Sequence, residues 1–261
     1  MKLLILGAAG RMGQALMRCS TTMENCEVVA AVERPDLPLI GQPVKIDGLP
    51  HPLTYTAEWS KEADVVIDFS FHAGVPGNLA HAVANHQAYV LGTTGLSDEE
   101  KQAVLDATKT IPVVWSSNMS TGVNLLLELV KRSASILGPD YDIEITEAHH
   151  RLKKDAPSGT ALMLAEAAAE GRQVKLDDVA CYGRKGIVGE RPVGEIGIHA
   201  LRGGSVVGDH TVMFLADEER VEITHRASSR DTFAKGALRA AGWLQGKEPG
   251  LYNMKHVLGF A

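Results

Sequence analysis

The feature that most constrains this chain is its opening, where a continuous apolar run, Lys2–Leu6, breaks at once into Gly7-Ala-Ala-Gly10-Arg-Met-Gly13. Glycines at such a place let the backbone turn tightly from a strand into a helix. They also let a pyrophosphate approach the helix N-terminus, where N–H groups and the helix dipole favour an anion. The G-x-x-G-x-x-G spacing is one residue longer than the commonest dinucleotide fingerprint, so context has to support it. A helix pattern follows over Arg11–Ser20, and a second apolar run, Cys26–Val32, leads into Glu33, twenty residues after Gly13. An acid at that distance usually meets the ribose hydroxyls of the nucleotide. Arg34 adds a guanidinium suited to a 2′-phosphate, so the pair suggests tolerance of both NADH and NADPH. Arg11 brings positive charge near the phosphates. The plainer alternatives are a tight turn that binds nothing and a solvated Glu33–Arg34 pair.

Downstream, apolar strands at Asp64–Ser70, Ala88–Leu91 and Pro112–Trp115 alternate with helices near Gly77–Asn85 and over Ser97–Lys109, the latter opening with a Ser97/Glu100 capping box. Continuous apolar strands separated by helices predict a parallel sheet covered on both faces. The Pro-rich stretch Arg34–Trp59 reads mostly as loop. After about residue 120 the pattern changes. A helix at Val123–Leu137 precedes a half-buried strand, Tyr141–Ala148, with Ile143 and Ile145 on one side and Asp142, Glu144 and Thr146 on the other. An Ala-rich helix, Pro157–Glu170, follows. Three strand-like runs, Glu195–Leu201, Ser205–Leu215 and Arg220–Arg226, are joined by short turns that predict an antiparallel meander. Thr232–Gln245 is a closing helix. The expected fold class is α/β: an N-terminal Rossmann-type doubly wound parallel sheet plus a second α+β domain with a mixed, largely antiparallel sheet. The dinucleotide-binding domain is placed at 1–120 and completed by 230–261; the second domain takes 121–229.

A chain of 261 residues, 45% hydrophobic, is long enough for two such cores, and its net charge of -6 gives no basic footprint for nucleic acid. Three scattered cysteines suggest no disulfide framework and fit a reducing cytosol. The first apolar run is too short to span a membrane, and no export signal is expected. The expectation is a cytoplasmic protein with no nucleic-acid and no membrane partner. The ten histidines show no H-x-x-x-H pattern, so no metal is expected. His199, His210 and His225 read as packing or hydrogen-bonded residues of the sheet.

The densest chemistry is the string Glu147-Ala-His-His-Arg-Leu-Lys-Lys-Asp-Ala-Pro-Ser-Gly-Thr160, which runs from a strand end to a helix start. His149, His150, Arg151, Lys153 and Lys154 place five basic groups within six residues, which asks for an anionic ligand. Pro157-Ser158-Gly159-Thr160 then makes a helix N-terminus, an anion cradle fit for a carboxylate. Together the two could grip a dicarboxylate from two sides. The plainer alternative is an exposed basic loop followed by an ordinary cap. Ser158 lacks the G-x-S-x-G context of a hydrolase nucleophile.

EAHHRLKKDAPSGTA at Glu147–Ala161 resembles the dihydrodipicolinate reductase family. The resemblance continues through GAAGRMG at Gly7–Gly13, VER at Val32–Arg34, GTTG at Gly92–Gly95, Asn118, and GVN at Gly122–Asn124. It extends to EIGIHALRGGSVVGDHTV at Glu195–Val212 and THRASSRDTFAKGAL at Thr224–Leu238, and so covers nearly the whole chain in order. It implies that Gly7, Gly10, Arg11, Met12 and Gly13 form the cofactor loop and that Glu33 and Arg34 meet the adenosine ribose. By the same resemblance Gly92, Thr93 and Thr94, with the segment Asn118 to Ser120 that includes Met119, lie near the nicotinamide, and Arg230 sits near a hinge beside the cofactor. It further implies His149 and Lys153 as catalytic, and His150, Lys153, Ser158, Gly159 and Thr160 as contacts to two substrate carboxylates. The reaction implied is NAD(P)H-dependent reduction of 4-hydroxy-tetrahydrodipicolinate, a small cyclic dicarboxylate. Water is lost, hydride is accepted at C4, and a proton is supplied by His149 or Lys153. Domain closure and a homotetramer with open sheets packed together are also implied.

Two departures bear on the cofactor. Where the family often has a basic residue and proline after Asp-Phe-Thr, this chain reads Asp68-Phe69-Ser70-Phe71-His72. Phe71 offers no charge to a 2′-phosphate and His72 only a partial one, which tilts the expected dual use slightly toward NADH. Met119 replaces a common Phe, so the nicotinamide pocket is expected to be lined differently. The competing readings are another NAD(P)-dependent imine or amino-acid dehydrogenase and a non-catalytic nucleotide-sensing paralogue.

Overall fold

The computed structural model describes residues 1–260. The chain opens with β1 (Lys2–Leu6), α1 (Arg11–Ser20), β2 (Glu27–Val32), β3 (Tyr55–Thr56), β4 (Val65–Asp68), α2 (Val75–Ala84), β5 (Ala88–Leu91), α3 (Asp98–Ala107) and β6 (Pro112–Trp115). It continues through α4 (Thr121–Leu137), β7 (Asp142–His149), α5 (Gly159–Gly171), α6 (Leu176–Val179), β8 (Ala180–Cys181), β9 (Ile196–Arg202), β10 (Gly208–Leu215) and β11 (Arg220–Ala227). It closes with α7 (Asp231–Leu244), β12 (Gly250–Tyr252) and α8 (Met254–Leu258). Two compact units result: Met1–Thr121 with the chain from Arg230 onward, and Gly122–Ser229.

The first unit holds a seven-stranded sheet in the order β12-β6-β5-β4-β1-β2-β3, every pairing parallel. Its strands are apolar on both faces because both are covered. Leu3, Ile5, Val65, Ile67 and Val90 pack with α1, α7 and α8, whereas Leu4, Leu6, Val66, Tyr89 and Leu91 pack with α2 and α3. The capping box forms as read: Ser97 Oγ accepts the Glu100 N–H at 3.3 Å, and Glu100 Oε2 accepts the Ser97 N–H at 2.7 Å. Strand order reverses between β1 and β4, the place where a doubly wound sheet opens a crevice for a ligand.

The second unit holds a mixed five-stranded sheet, β11-β10-β7-β9-β8. The expected meander is corrected here. β10 and β11 form an antiparallel hairpin, but β7 lies between β9 and β10, parallel to the first and antiparallel to the second. The Gly203–Gly204 turn does not join neighbours; it carries the chain across the end of β7. Five residues separate Arg202 from Gly208, and they comfortably span two inter-strand spacings of about 10 Å in all. The crossing is pinned to β7: Gly203 N–H donates to the His149 carbonyl at 2.9 Å and Arg151 N–H to that of Gly204 at 3.3 Å. One face of the sheet, carrying Ile143, Ile145, Ile196, Ile198, Val212 and Phe214, is covered by α4 and α5. Among the described residues no helix is long and apolar enough to cross a membrane.

Candidate active site

Each unit carries a candidate site at its strand ends. In the first, Gly7 adopts φ +71°, and a Cβ there would stand 2.7 Å from the Phe69 carbonyl oxygen. A Cβ on Gly13 would lie 2.3 Å from the Gly7 carbonyl oxygen, so close approach of α1 to β1 requires glycine. Gly10 is the N-cap of α1; no side chain caps that end and its first turn holds no acidic residue. The loop therefore suits an anion. Arg11 is exposed beside it, and Met12 packs partly against the core.

Glu33 leans back on this loop, its Oε1 accepting the Ala9 N–H at 2.7 Å. Arg34 is exposed, with Nε 3.5 Å from Asp36 Oδ1. Glu33 and Arg34 line a cavity of about 500 Å³ together with Gly7, Trp59, Phe71 and His81. Phe71, 65% exposed, contributes an apolar wall. His72 turns to another partner: its Nδ1 sits 3.0 Å from the Glu100 carboxylate, which the capping box of α3 also holds.

Asp68, fully buried at the end of β4, is a node that sequence reasoning passed over as part of a strand. Its carboxylate accepts the Ser70 N–H at 2.8 Å, the Asn78 amide at 3.1 Å, the Tyr89 hydroxyl at 2.5 Å and the Thr93 hydroxyl at 3.0 Å. Burial and the adjacent Asp68 charge push the Tyr89 hydroxyl well above its ordinary pKa, so it stays a donor. Asp68 thus ties the loop bearing Phe71 to the loop bearing Gly92 and Thr93. A Cβ on Gly92 would meet the Phe69 ring at 2.3 Å, and Thr94 is exposed. Asn118 Oδ1 accepts the Ser120 N–H at 2.9 Å. The Met119 side chain is 2% exposed in the core, so any ligand contact there falls to its backbone. Arg230 is exposed at the start of α7.

In the second unit the alternation of β7 does not stop at Ile145. Glu147 and His149 continue it inward, at 1% and 8% exposure. Glu147 Oε2 is 2.6 Å from His149 Nδ1. Arg202 grips the same carboxylate with both terminal nitrogens, each at 2.8 Å, and Oε1 also accepts the Ser158 N–H at 3.0 Å. Burial opposes ionisation of Glu147, but Arg202, His149 and the Ser158 N–H outweigh it and hold the carboxyl below its usual range. One carboxylate therefore joins the histidine at the strand end to the start of α5. That helix begins at Gly159 with Ser158 as N-cap, so Pro157 precedes the helix instead of lying in its first turn.

Ser158 Oγ accepts the Ala161 N–H at 3.2 Å and meets His210 Nε2 at 3.0 Å. Burial above all, with the neighbouring His149, pushes His210 down to about 4. Lys153, partly buried, pairs with Asp155 at 2.9 Å, while Arg151 and Lys154 are exposed. The five basic groups are thus not one cluster. His150 is partly buried, and Gly159 and Thr160 open α5. Glu147, Arg202 and His210 were missed as site residues; the signal for the first was the parity of β7, and for the others only strand pairing could supply it. His199 belongs to the opposite face, 2.6 Å from Glu144. Among the described residues no group of three or more His, Cys, Asp or Glu is arranged to hold a metal ion.

Two family models match the chain, "Dihydrodipicolinate reductase, N-terminus" over residues 1–119 and "Dihydrodipicolinate reductase, C-terminus" over 122–258. A 4-hydroxy-tetrahydrodipicolinate reductase of Akkermansia muciniphila is 48% identical over 99% of this chain and 98% of its own. One from Anaeromyxobacter dehalogenans is 47% identical over 99% and 97%. A solved dipicolinate-bound dihydrodipicolinate reductase from Paenisporosarcina shares the fold, with a TM-score of 0.78 at 22% identity over 97% of both chains. A probable dehydrogenase from Thermotoga maritima aligns with a TM-score of 0.61 at 9% identity, over 98% of this chain and 92% of its own.

Proposed function

This chain belongs to the dihydrodipicolinate reductase family, and on that footing we propose how its two sites divide the work of reducing 4-hydroxy-tetrahydrodipicolinate, with loss of water, in the diaminopimelate route to lysine. The observation that carries the assignment of the second unit is Glu147, which fixes the orientation of His149 and the N-terminus of α5 at once.

The glycine loop fits a nicotinamide dinucleotide: Cβ atoms at Gly7 and Gly13 would collide with backbone, and no side chain caps the start of α1. Gly10, Arg11, Met12 and Gly13 would hold its phosphates, Glu33 its ribose, and Gly92, Thr93, Thr94, Asn118, Met119 and Arg230 would flank the remainder. When bound it supplies a hydride. We assign NADH as the better of two usable cofactors, because the Ala9 N–H holds the Glu33 carboxylate toward the loop and Phe71 offers no charge; the exposed Arg34, only weakly paired with Asp36, leaves NADPH usable.

In the second unit the α5 N-terminus, with Ser158, Gly159 and Thr160, takes one substrate carboxylate; His150 and Lys153 serve the other. Glu147 accepts from His149 Nδ1, so it is Nε2 of that ring that exchanges a proton with the ligand. The Lys153–Asp155 pair is worth at most ~1 kcal/mol, so an anionic substrate can recruit the ammonium as a proton donor. We further assign the chain to a cytoplasmic homotetramer, with the uncovered face of the second sheet, where Leu201 is exposed, packed against other copies.

The test is to supply freshly made 4-hydroxy-tetrahydrodipicolinate and follow loss of reduced-nicotinamide absorbance with NADH and NADPH in parallel. Substrate-dependent oxidation, faster with NADH, is expected. No oxidation by a folded protein that still binds NADH would overturn the reading.

A further inference from the structure

His210 lies outside every role assigned so far. It stands on β10, in register with Glu147 on one side and His225 on the other, and is 4% exposed. Its Nε2 is 3.0 Å from Ser158 Oγ, whereas its Nδ1 is buried with no protein partner among the described residues. Four titratable groups bear on it: His149, edge-to-face at 5.2 Å between ring centroids, then Glu147, His225 and Lys153. Burial and His149 keep the ring neutral, with its pKa down to about 4, so it carries one N–H at working pH.

Two tautomers are open to it. With the proton on Nδ1, a buried N–H has no acceptor, and Ser158 must spend its only hydrogen on Nε2. With the proton on Nε2, His210 donates to Ser158 Oγ. That oxygen then accepts twice, from His210 and from the Ala161 N–H, and its own hydrogen is left for a ligand. Unpaired buried N–H groups are the rarer defect in proteins, which favours the second arrangement. Ser158 itself is 2% exposed, but the next residue, Gly159, is exposed, and a Cβ there meets nothing within 4 Å, so open space begins one residue along.

We propose that His210 is a positioning residue for carboxylate recognition: its Nε2–H, held against Ser158 Oγ, turns the serine hydroxyl into a donor toward the substrate. The proposal rests on the reading of Ser158 as a substrate contact. A hydroxyl so held rewards an anionic group and gives nothing to an ammonium, so His210 acts on specificity through a residue it touches and not on the reacting atoms.

The test compares steady-state kinetics of the full-length enzyme bearing His210→Phe, His210→Gln, Ser158→Ala and the Phe/Ala double change. Glutamine can place an amide N–H where Nε2–H stood; phenylalanine cannot. Expected are a rise in substrate KM of about tenfold for His210→Phe with kcat within about threefold, and recovery of most of that rise in His210→Gln. The double variant should be no worse than Ser158→Ala alone, because one effect acts through the other. If His210→Phe leaves KM unchanged while Ser158→Ala raises it, the positioning role is wrong and the Ser158 reading stands. If Ser158→Ala leaves KM unchanged, the Ser158 reading itself falls and takes the proposal with it. Should the phenylalanine variant fail to fold, 15N spectra of the histidine-labelled wild-type enzyme decide: an Nε2–H signature for His210 supports the proposal, and an Nδ1–H signature overturns it.

Discussion

Glu147 Oε2 stands 2.6 Å from Nδ1 of His149, two positions along the same strand, and both side chains enter the buried face of β7. Because Arg202 and the Ser158 N–H hold the same carboxylate, the histidine is oriented by a group that cannot itself drift. Glu147→Gln keeps the shape but presents an amide to two donors. It is expected to lower kcat by about 100-fold while leaving the NADH Kd unchanged, and to lower stability by ~3 kcal/mol through the stranded guanidinium. Stopped-flow turnover, NADH titration and urea unfolding check the three parts; unchanged kcat in a folded variant would remove His149 orientation from the mechanism.

Acid should unfold the second unit through Glu144. Burial opposes its charge, but Arg184, His199 and Arg191 together bring its pKa from 4.5 to about 2. With the folded value below the unfolded one, its stabilisation is complete above pH 4.5 and disappears as pH falls toward about 2. Glu147, also lowered, acts in the same direction. Urea midpoints between pH 7 and 3 should fall steeply below about 4.5 for the wild type and less steeply for Glu144→Gln. Parallel curves would show that the network does not couple to folding.

The cofactor choice should turn on Phe71. It lines the cavity beside Glu33 and Arg34, and its neighbour His72 is committed to Glu100. Phe71→Lys is expected to raise kcat/KM for NADPH by about tenfold with NADH little changed, the gain of one charge-assisted contact to a 2′-phosphate. An equal gain with both cofactors would place the new ammonium near the shared phosphates instead.

Lys153→Ala is expected to lower kcat by at least about 100-fold and leave cofactor affinity intact, whereas Asp155→Asn, removing a pair worth at most ~1 kcal/mol, should change kcat less than about fivefold. Matched loss of NADH affinity in Lys153→Ala would take the residue out of the proton-donor role.

Much of this was legible in the sequence because local rules governed it. The turn at Gly7, the Ser97 capping box and the apolar runs of β1, β4, β5 and β6 are decided by residues within a few positions of one another. The basic string at His149–Lys154 was also visible, yet its residues scatter to different surroundings: His149 is buried, Lys153 is paired with Asp155, and Arg151 and Lys154 are solvated. Charge close together in sequence need not act together in space.

The sequence by itself determined a parallel sheet, a glycine turn from its first strand into α1 and, within two residues, the start of α5, since periodicity, glycine conformation and capping are properties of short segments. Tertiary structure alone decided that β7 lies between β9 and β10, which sets Arg202 and His210 on either side of Glu147 and so completes the site. Residues 55 and 63 positions apart, as Arg202 and His210 are from Glu147, meet through backbone pairing across a sheet. Strand order is chosen by the burial of whole faces, a sum over the entire unit that no local pattern records.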